Sequence, residues 1–249
     1  MTNIAKNLSA VRRRIVDACS ACGRDPSDVT LLLATKTQSP ERILEALNCG
    51  HVLTGENRVQ ELVGKSAALG GQRIERHMIG HLQSNKASKA LDHVTCVQSI
   101  DRVTIARKLN ALCEARGRTL DVFLQFNTSE EDSKFGADPE LAISFAHAIA
   151  GFSNLNVRGL MTIGLLAPFP LMSRRSLSRL RDLRDRIATE NIDGIDLRHL
   201  SMGMSGDLEI AIEEGSTMVR IGTDVFGERN LPPGTFWPER TGTTPVGLA

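Results

Sequence analysis

Several features that would decide the class of this 249-residue chain are absent from its sequence. Lys plus Arg total 30 against 29 Asp plus Glu, and the formal net charge of +1 argues against a nucleic-acid surface spread over the whole protein. No apolar run approaches the ~18 residues that span a bilayer, and the first residues lack the apolar stretch of a signal peptide. We therefore expect a cytoplasmic protein whose partners include neither a membrane nor a nucleic acid.

Cysteines are few and odd in number. Five cysteines without an export signal indicate reduced thiols rather than a disulfide framework. Cys19 and Cys22 form a C-x-x-C, but no second pair follows at zinc spacing, and both lie inside a helical pattern. We interpret them as small helix residues, with redox or metal chemistry as the alternative.

The pattern of apolar residues predicts an N-terminal helix followed by eight short strands. The helix has apolar residues at three- and four-residue spacing: Ile4, Leu8, Val11, Ile15 and Ala18. The predicted strands are Leu31 to Thr35, His51 to Thr54, Glu75 to Ile79, Val94 to Ser99, Val122 to Phe126, Val157 to Met161, Leu197 to Leu200 and Met218 to Ile221.

Helical patterns lie between these strands, and several have recognisable ends. An Asp N-cap, a Pro at the first helical position or a Gly just past the last residue marks the following segments: Pro40 to Asn48, Asp101 to Arg116, Asp138 to Ala150 and Asp207 to Glu214. Three more carry helical periodicity: Asn57 to Ala68, Asn85 to Leu91 and Leu171 to Thr189.

Strands that alternate with helices predict parallel strands joined by crossovers, hence an α/β fold. Eight units favour a single (β/α)8 TIM barrel with an added N-terminal helix. The alternative, an open doubly wound sheet, is weakened because no G-x-G-x-x-G follows the first strand. We expect one barrel over residues 1–229 and a flexible tail over residues 230–249, which hold four of the nine prolines.

Chemistry in such a barrel sits at the carboxyl ends of the strands. Lys36 directly follows five uncharged residues, so desolvation at an apolar rim would lower its pKa and leave an amine able to form a Schiff base. A solvated lysine at a strand end is the alternative.

The ends of the seventh and eighth strands predict a phosphate site. Ser201-Met202-Gly203-Met204-Ser205 supplies hydroxyls and flexible backbone, and Arg220-Ile221-Gly222-Thr223 supplies a cation, a small residue and a hydroxyl. Ordinary turn glycines and a surface arginine are the alternative interpretation. Together with Lys36, these loops favour a ligand with an aldehyde and a phosphate, and pyridoxal 5'-phosphate (PLP) has both groups.

Seven ordered blocks between about Val29 and Arg229 resemble the PLP homeostasis proteins, which are similar to the N-terminal barrel of alanine racemase standing alone. The blocks are Ala34-Thr35-Lys36, Gly55 to Glu61, His77 to Lys86, Ser133 to Gly136, Arg158 to Ile163, Leu200 to Ser205 with Asp207, and Gly215 to Thr223 with Phe226-Gly227. The resemblance implies that Lys36 carries PLP as a Schiff base, Asn57 lies beside its ring and Arg220 meets its pyridine nitrogen. It also implies that Ser201, Ser205, Gly222 and Thr223 surround the phosphate.

The sequence departs from the family pattern at three places. Arg76 replaces a tryptophan, Met78 replaces an aromatic residue, and an apolar loop over residues 164–170 replaces a proline and acidic loop. Six arginines then follow: Arg174, Arg175, Arg179, Arg181, Arg184 and Arg186. Because Asp182 and Asp185 are interleaved, a solvated helix face is favoured over a nucleic-acid patch.

The resemblance leaves a racemase as the rival to a PLP carrier. Alanine racemase uses a tyrosine from an additional C-terminal domain as its second base, and this chain has no tyrosine. We therefore expect a monomeric protein for PLP homeostasis and delivery, with apo PLP-dependent enzymes as partners. A racemase that uses Lys36 alone, or with His77 or Lys134, remains the alternative, and a sugar-phosphate aldolase is a third.

Overall fold

Eight parallel strands pair in chain order and close into a barrel in the computed structural model, which describes residues 3–131, 134–165 and 170–228. The strands are β1 Thr30–Ala34, β2 Leu53–Glu56, β3 Glu75–Met78, β4 Cys96–Ile100, β5 Leu120–Gln125, β6 Leu155–Met161, β7 Ile195–Ser201 and β8 Met218–Ile221. All eight predicted strands are confirmed, with ends that move by up to two residues. The predicted barrel fold is therefore confirmed, and the tail predicted for residues 230–249 lies outside the described residues.

Helices surround the barrel within the described part of the chain. They are α1 Ile4–Ala21, α2 Pro40–Asn48, α3 Val59–Ser66, α4 Ala87–Leu91, α5 Val103–Glu114, α6 Ala142–Ala150, α7 Arg174–Thr189, α8 Leu208–Glu213 and α9 Thr223–Phe226. The predicted bounds of α2 are confirmed. Three predicted helices begin with a short 3-10 turn, at Ser84–Lys86, Pro139–Leu141 and Pro170–Ser173.

Of the three predicted Asp N-caps, Asp101 is wrong because Arg102 holds the N-cap position of α5, and Asp207 holds the N-cap position of α8 without a side-chain capping bond. Asp138 does cap its segment, because its side chain accepts a hydrogen bond from the backbone N–H of Glu140. Asp101 instead pairs with His81 and Arg102, and Asp207 accepts from the N–H of Met204 at 2.6 Å. These partners come from the rim loops, so tertiary contacts take the carboxylates away from the helix ends.

The added N-terminal helix packs against α8 and α9, outside strands β8 and β1. Its apolar face, built on Ile4, Leu8, Val11 and Ile15, shares a buried cluster with the following residues of α8 and α9: Leu208, Ile212, Val225 and Phe226. α1 therefore closes the outer layer where the chain returns to its start.

The structure also describes the cysteines and the helices that could be compared with membrane spans. All five cysteines are free thiols, and the described residues hold no group of side chains that could bind a metal ion. None of the helices described is long and apolar enough to cross a bilayer.

Candidate cofactor site

The seven predicted site residues lie on one arc of the carboxyl-terminal rim. Lys36 follows β1, Asn57 follows β2, and Arg220 lies in β8. The remaining four are Ser201 at the end of β7, Ser205 in the loop beyond it, and Gly222 and Thr223 directly after β8. Because β7, β8, β1 and β2 are successive neighbours in the closed sheet, the fold brings all seven together.

The backbone on both sides of Lys36 is anchored. The Thr35 hydroxyl donates to Glu56 Oε1 at 2.7 Å, and the N–H of Thr37 donates to Glu61 Oε2 at 2.6 Å. Thr37 has φ of +64°, a left-handed conformation that costs a β-branched residue energy and needs such anchoring. The half-buried Lys36 therefore leaves the barrel in a direction fixed by its neighbours.

Lys65 of α3 joins these anchors into a buried network. Its ammonium donates to the Thr35 carbonyl at 2.8 Å, to Glu56 at 2.7 Å and to Glu61 at 3.0 Å. Burial raises the pKa of Glu56, and the Lys65 charge opposes that rise. Sequence reasoning missed this network, although a carboxylate ending an apolar strand signals a buried ion pair.

Asn57 is placed by a close approach of the β2 and β3 ends. A Cβ added at Gly80 would lie 2.2 Å from the Asn57 carbonyl oxygen, so only glycine fits there. The Asn57 Oδ1 atom is buried and has no hydrogen-bond partner among the described residues. A buried acceptor without a donor is the mark of an atom that a ligand or water completes.

Arg220 is a buried cation at the rim. Its Nη1 donates to the Ser201 carbonyl at 2.6 Å and its Nη2 donates to the Thr162 carbonyl at 2.7 Å. Burial lowers the pKa of Arg220 to about 10, and the nearby Asp207 carboxylate opposes that shift. The guanidinium is therefore still protonated at neutral pH, and the carbonyl ends of β6 and β7 fix its plane.

A chain of hydrogen bonds leads from Arg220 down through the barrel. Arg220 Nη1 donates to Ser201 Oγ at 2.9 Å, and that hydroxyl donates to Gln98 Oε1 at 2.6 Å. Gln98 Nε2 meets His77 Nδ1 at 2.7 Å, and His77 Nε2 meets Glu75 Oε1 at 3.0 Å. Because Gln98 Nε2 can only donate, the imidazole hydrogen lies on Nε2 and every bond in the chain points from Arg220 toward Glu75.

The loops after β7 and β8 are held together from outside the barrel. The N–H of Asp224 donates to Ser205 Oγ at 3.3 Å. Arg14 of α1 donates to the Ser205 carbonyl at 3.1 Å, to Glu209 at 2.6 Å, and also to Asp224. Sequence reasoning missed Arg14, because its partners lie about 200 residues away in the chain and no local pattern connects them.

The opposite arc of the rim carries a second polar group. The His81 ring stacks on Phe135 with centroids 3.9 Å apart, and His81 Nδ1 bonds Asp101 at 2.8 Å. Gln125 of β5 donates to the Phe135 carbonyl at 2.9 Å. Two of the sequence blocks are thus joined here, one after β3 and one after β5.

The arginines of α7 pair with carboxylates. Glu214 binds Arg174 and Arg181, and Glu130 binds Arg175 at 3.1 Å and Arg179 at 3.0 Å. The predicted solvated, charge-paired helix face accounts for them.

The barrel and its rim define a class of protein. The family described as alanine racemase, N-terminal domain, matches residues 3–230. Alanine racemase from Clostridium difficile has the same fold with a TM-score of 0.72 at 12% identity, and this chain covers 56% of that chain.

Within this class, the chain belongs to the family of pyridoxal phosphate homeostasis proteins. It is 42% identical to the Pseudomonas aeruginosa pyridoxal phosphate homeostasis protein over 92% of this chain and 97% of that protein. It is 41% identical to the Aquifex aeolicus protein over 91% of this chain and 99% of the other. PipY from Synechococcus elongatus, solved with PLP bound, has a TM-score of 0.79 at 30% identity, and the match covers 90% of this chain and 100% of the PipY chain.

Proposed function

We propose that this chain binds PLP on the rim arc of β7, β8, β1 and β2 and serves PLP homeostasis and delivery. The family relatives support the role, since they are named for it and PipY was solved with the cofactor. The observation that carries the proposal is the pair formed by a lysine and a buried arginine at neighbouring strand ends, Lys36 after β1 and Arg220 in β8.

The residues of the arc fit the groups of PLP. When bound, PLP supplies an aldehyde that condenses with an amine and a pyridine ring that withdraws electrons. We assign Lys36 to hold the aldehyde carbon as a Schiff base and Arg220 to face the ring nitrogen. Asn57 Oδ1, a buried acceptor without a partner in the described structure, is assigned to the ring surroundings.

The phosphate is assigned to the loops after β7 and β8. Ser205, Gly222 and Thr223 are half-buried or exposed there, so their polar groups can face a ligand. Ser201 differs, because it is fully buried and its hydroxyl already bonds Gln98 and Arg220. We therefore propose that Ser201 acts by positioning Arg220 rather than through a phosphate contact of its hydroxyl.

Arg220 favours a carrier over an amino-acid racemase. A guanidinium that stays protonated cannot accept a proton from a pyridinium, so the ring is kept unprotonated and withdraws electrons less strongly. A racemase must also return a proton to the opposite face, and the chain has no tyrosine to serve as that second base. Transfer of PLP to apo PLP-dependent enzymes in the cytoplasm, by a monomer, completes the proposal.

A transfer experiment in deuterated water tests this function. PLP-loaded protein is incubated with L- and D-alanine, then with an apo PLP-dependent enzyme, and α-deuterium, enantiomer ratio and enzyme reactivation are measured. We expect reactivation without sustained racemisation. Racemisation at ~1 per second or faster, a normal enzyme turnover, would establish the racemase instead.

A further inference from the structure

A second cavity opens at the opposite end of the barrel from Lys36. It has a volume of about 480 Å³ and is lined by the first residues of several strands. Its inner wall is apolar and consists of Leu53, Cys96, Phe123 and Met218. The amino-terminal face of such barrels usually contributes stability rather than a site, and a cavity with an apolar wall and charged side chains at its mouth is unusual there.

The mouth of this amino-terminal cavity carries separated charges. Glu75 begins β3 and Arg198 lies in β7, and three strands lie between them in each direction around the eight-strand ring, so the two residues are on opposite sides of the opening. The Glu75 side chain is 52% exposed and the Arg198 side chain is 67% exposed. Asp121 and Arg158, on the neighbouring strands β5 and β6, pair with each other at 3.2 Å. Arg198 Nε pairs with Asp196 at 2.6 Å, so the mouth carries three carboxylates and two guanidiniums.

The acidic side of the mouth is held in a fixed position. The His77 ring is locked between Gln98 at 2.7 Å and Glu75 at 3.0 Å, and its side chain is only 6% exposed. On the other side, the His199 ring stacks on Phe123 with centroids 6.1 Å apart. Charged groups that are held in place before binding lose less freedom when a ligand arrives.

We propose that the amino-terminal cavity is a second binding site, for a small zwitterion of the α-amino acid type with an apolar side chain. The carboxylate of the ligand pairs with Arg198, its ammonium pairs with Glu75, and its side chain lies against Phe123, Leu53 and Met218. Three carboxylates against two guanidiniums disfavour a multiply charged anion, which would need excess cations, whereas a zwitterion finds an oppositely charged partner for each of its two charges. The cavity volume lies in the range of ligand pockets, roughly 300–1,000 Å³. This inference rests on the described residues alone and stands whether or not PLP binds at the rim.

Histidine NMR on protein free of PLP tests the proposal, because amino acids then have no cofactor to react with. Protein labelled with ¹⁵N-histidine is titrated with L-phenylalanine and with two matched probes, 2-phenylethylamine without the carboxylate and 3-phenylpropionate without the ammonium. We expect L-phenylalanine to shift the signals of His77 and His199 and to bind at least about tenfold more tightly than either matched probe. His81 at the opposite rim and the exposed His147 on α6 serve as internal controls.

Arginine variants locate the site. Arg198→Ala should weaken L-phenylalanine binding about tenfold, because it removes the proposed carboxylate partner from an exposed position. Arg175→Ala, at an arginine of α7 that is 84% exposed and remote from the cavity, should leave binding unchanged. The proposal is overturned if His77 and His199 do not shift at millimolar L-phenylalanine, if only His81 shifts, if the three probes bind equally, or if the two variants behave alike.

Discussion

Glu56 is the residue that ties the rim around Lys36 to the barrel. It accepts hydrogen bonds from the Thr35 hydroxyl and the Lys65 ammonium, and its second carboxylate oxygen is buried without a partner among the described residues. A buried ion pair contributes little net stability, but leaving one partner alone is costly because a charge then stays desolvated. The anchoring of Lys36 therefore depends on both partners being present.

Glu56→Gln should destabilise the protein by about 3 kcal/mol, the typical cost of breaking a buried ion pair. The side chains of Glu56 and Lys65 are 5% and 12% exposed, so solvent cannot replace the lost partner. Urea unfolding measures the change. Glu56→Gln combined with Lys65→Met should recover part of the loss, and Glu45→Gln at an exposed position of α2 is the control. A double variant less stable than Glu56→Gln alone would contradict this account.

Gln98→Leu tests the hydrogen-bond chain below Arg220. Gln98 accepts from Ser201 and donates to His77, so the substitution leaves two buried polar groups unpaired at a cost of roughly 1–3 kcal/mol each. The ¹⁵N signal of His77 Nδ1 should also change, because that nitrogen loses its hydrogen-bond donor while the Glu75 carboxylate still accepts from Nε2. Gln125→Leu, the matched change on β5 outside the chain, should leave the His77 spectrum as it is. An unchanged His77 spectrum in Gln98→Leu would show that Gln98 does not bond to His77.

Helix α1 supports the proposed phosphate site by contacting the two loops that form it. Its apolar face packs on α8 and α9, and Arg14 on its polar side bonds the loop after β7 and the start of α9. Burial of the Arg14 partners is partial, so the ion pairs themselves add little stability. Their effect is to hold two loops in one arrangement, which is what a phosphate cradle requires.

Arg14→Ala should weaken PLP binding about tenfold with only a small loss of stability, because the loops of the phosphate site become less ordered before binding. Equilibrium dialysis of PLP against the variant measures this. Arg13→Ala, at the exposed neighbouring position of α1, is the matched control and should bind as the unchanged protein does. Equal PLP affinities of the two variants would show that Arg14 does not contribute to the PLP site.

Pyridoxal without its phosphate should bind at least tenfold more weakly than PLP. Pyridoxal lacks the phosphate and so loses the hydrogen bonds proposed from Ser205, Gly222 and Thr223, each of which contributes roughly 1.5–3 kcal/mol when the acceptor is an anion. Competition between pyridoxal and PLP for the protein measures the ratio. Equal affinity for the two compounds would contradict the assignment of these loops to phosphate.

Local sequence signals predicted the helices and strands well where local interactions determine their ends. Pro40 at the first helical position and Gly50 beyond the end gave α2 its correct bounds, because the last carbonyls of the helix are bonded within the same segment, by the N–H groups of residues 49–51. Asp207 occupies the predicted N-cap position of α8, but its carboxylate accepts from the N–H of Met204 instead of capping the helix. The network of Glu56, Lys65 and Glu61 and the reach of Arg14 depend on distant segments meeting, which no local pattern encodes.

In the whole molecule, two different polar regions lie at opposite ends of one barrel. The rim with Lys36 and Arg220 carries the proposed PLP site, and the opposite mouth carries a cavity with His77 and Glu75. The hydrogen-bond chain through Ser201 and Gln98 connects these two ends across the barrel interior. A racemase would need a second base at the rim, and the absence of tyrosine from the chain removes the residue that the related enzymes are expected to use.

The proposed carrier is a monomer, and its mass in solution tests this part of the proposal. Light scattering coupled to size-exclusion chromatography should give the mass of one chain at micromolar concentration. The PLP content per chain should be the same across the elution peak. A dimer that holds one PLP per two chains would show that the site is shared.

Mapping the attachment of PLP to the chain tests the central proposal most directly. PLP-loaded protein is reduced with borohydride, digested with trypsin and analysed by mass spectrometry. Modification of Lys36 blocks cleavage there, so the pyridoxyl mass should appear on the peptide of residues 25–42, and Lys36→Ala should abolish it. A pyridoxyl group found only on Lys65, Lys86 or Lys134, with cleavage at Lys36 giving unmodified peptides of residues 25–36 and 37–42, would contradict the assignment of the PLP site to Lys36.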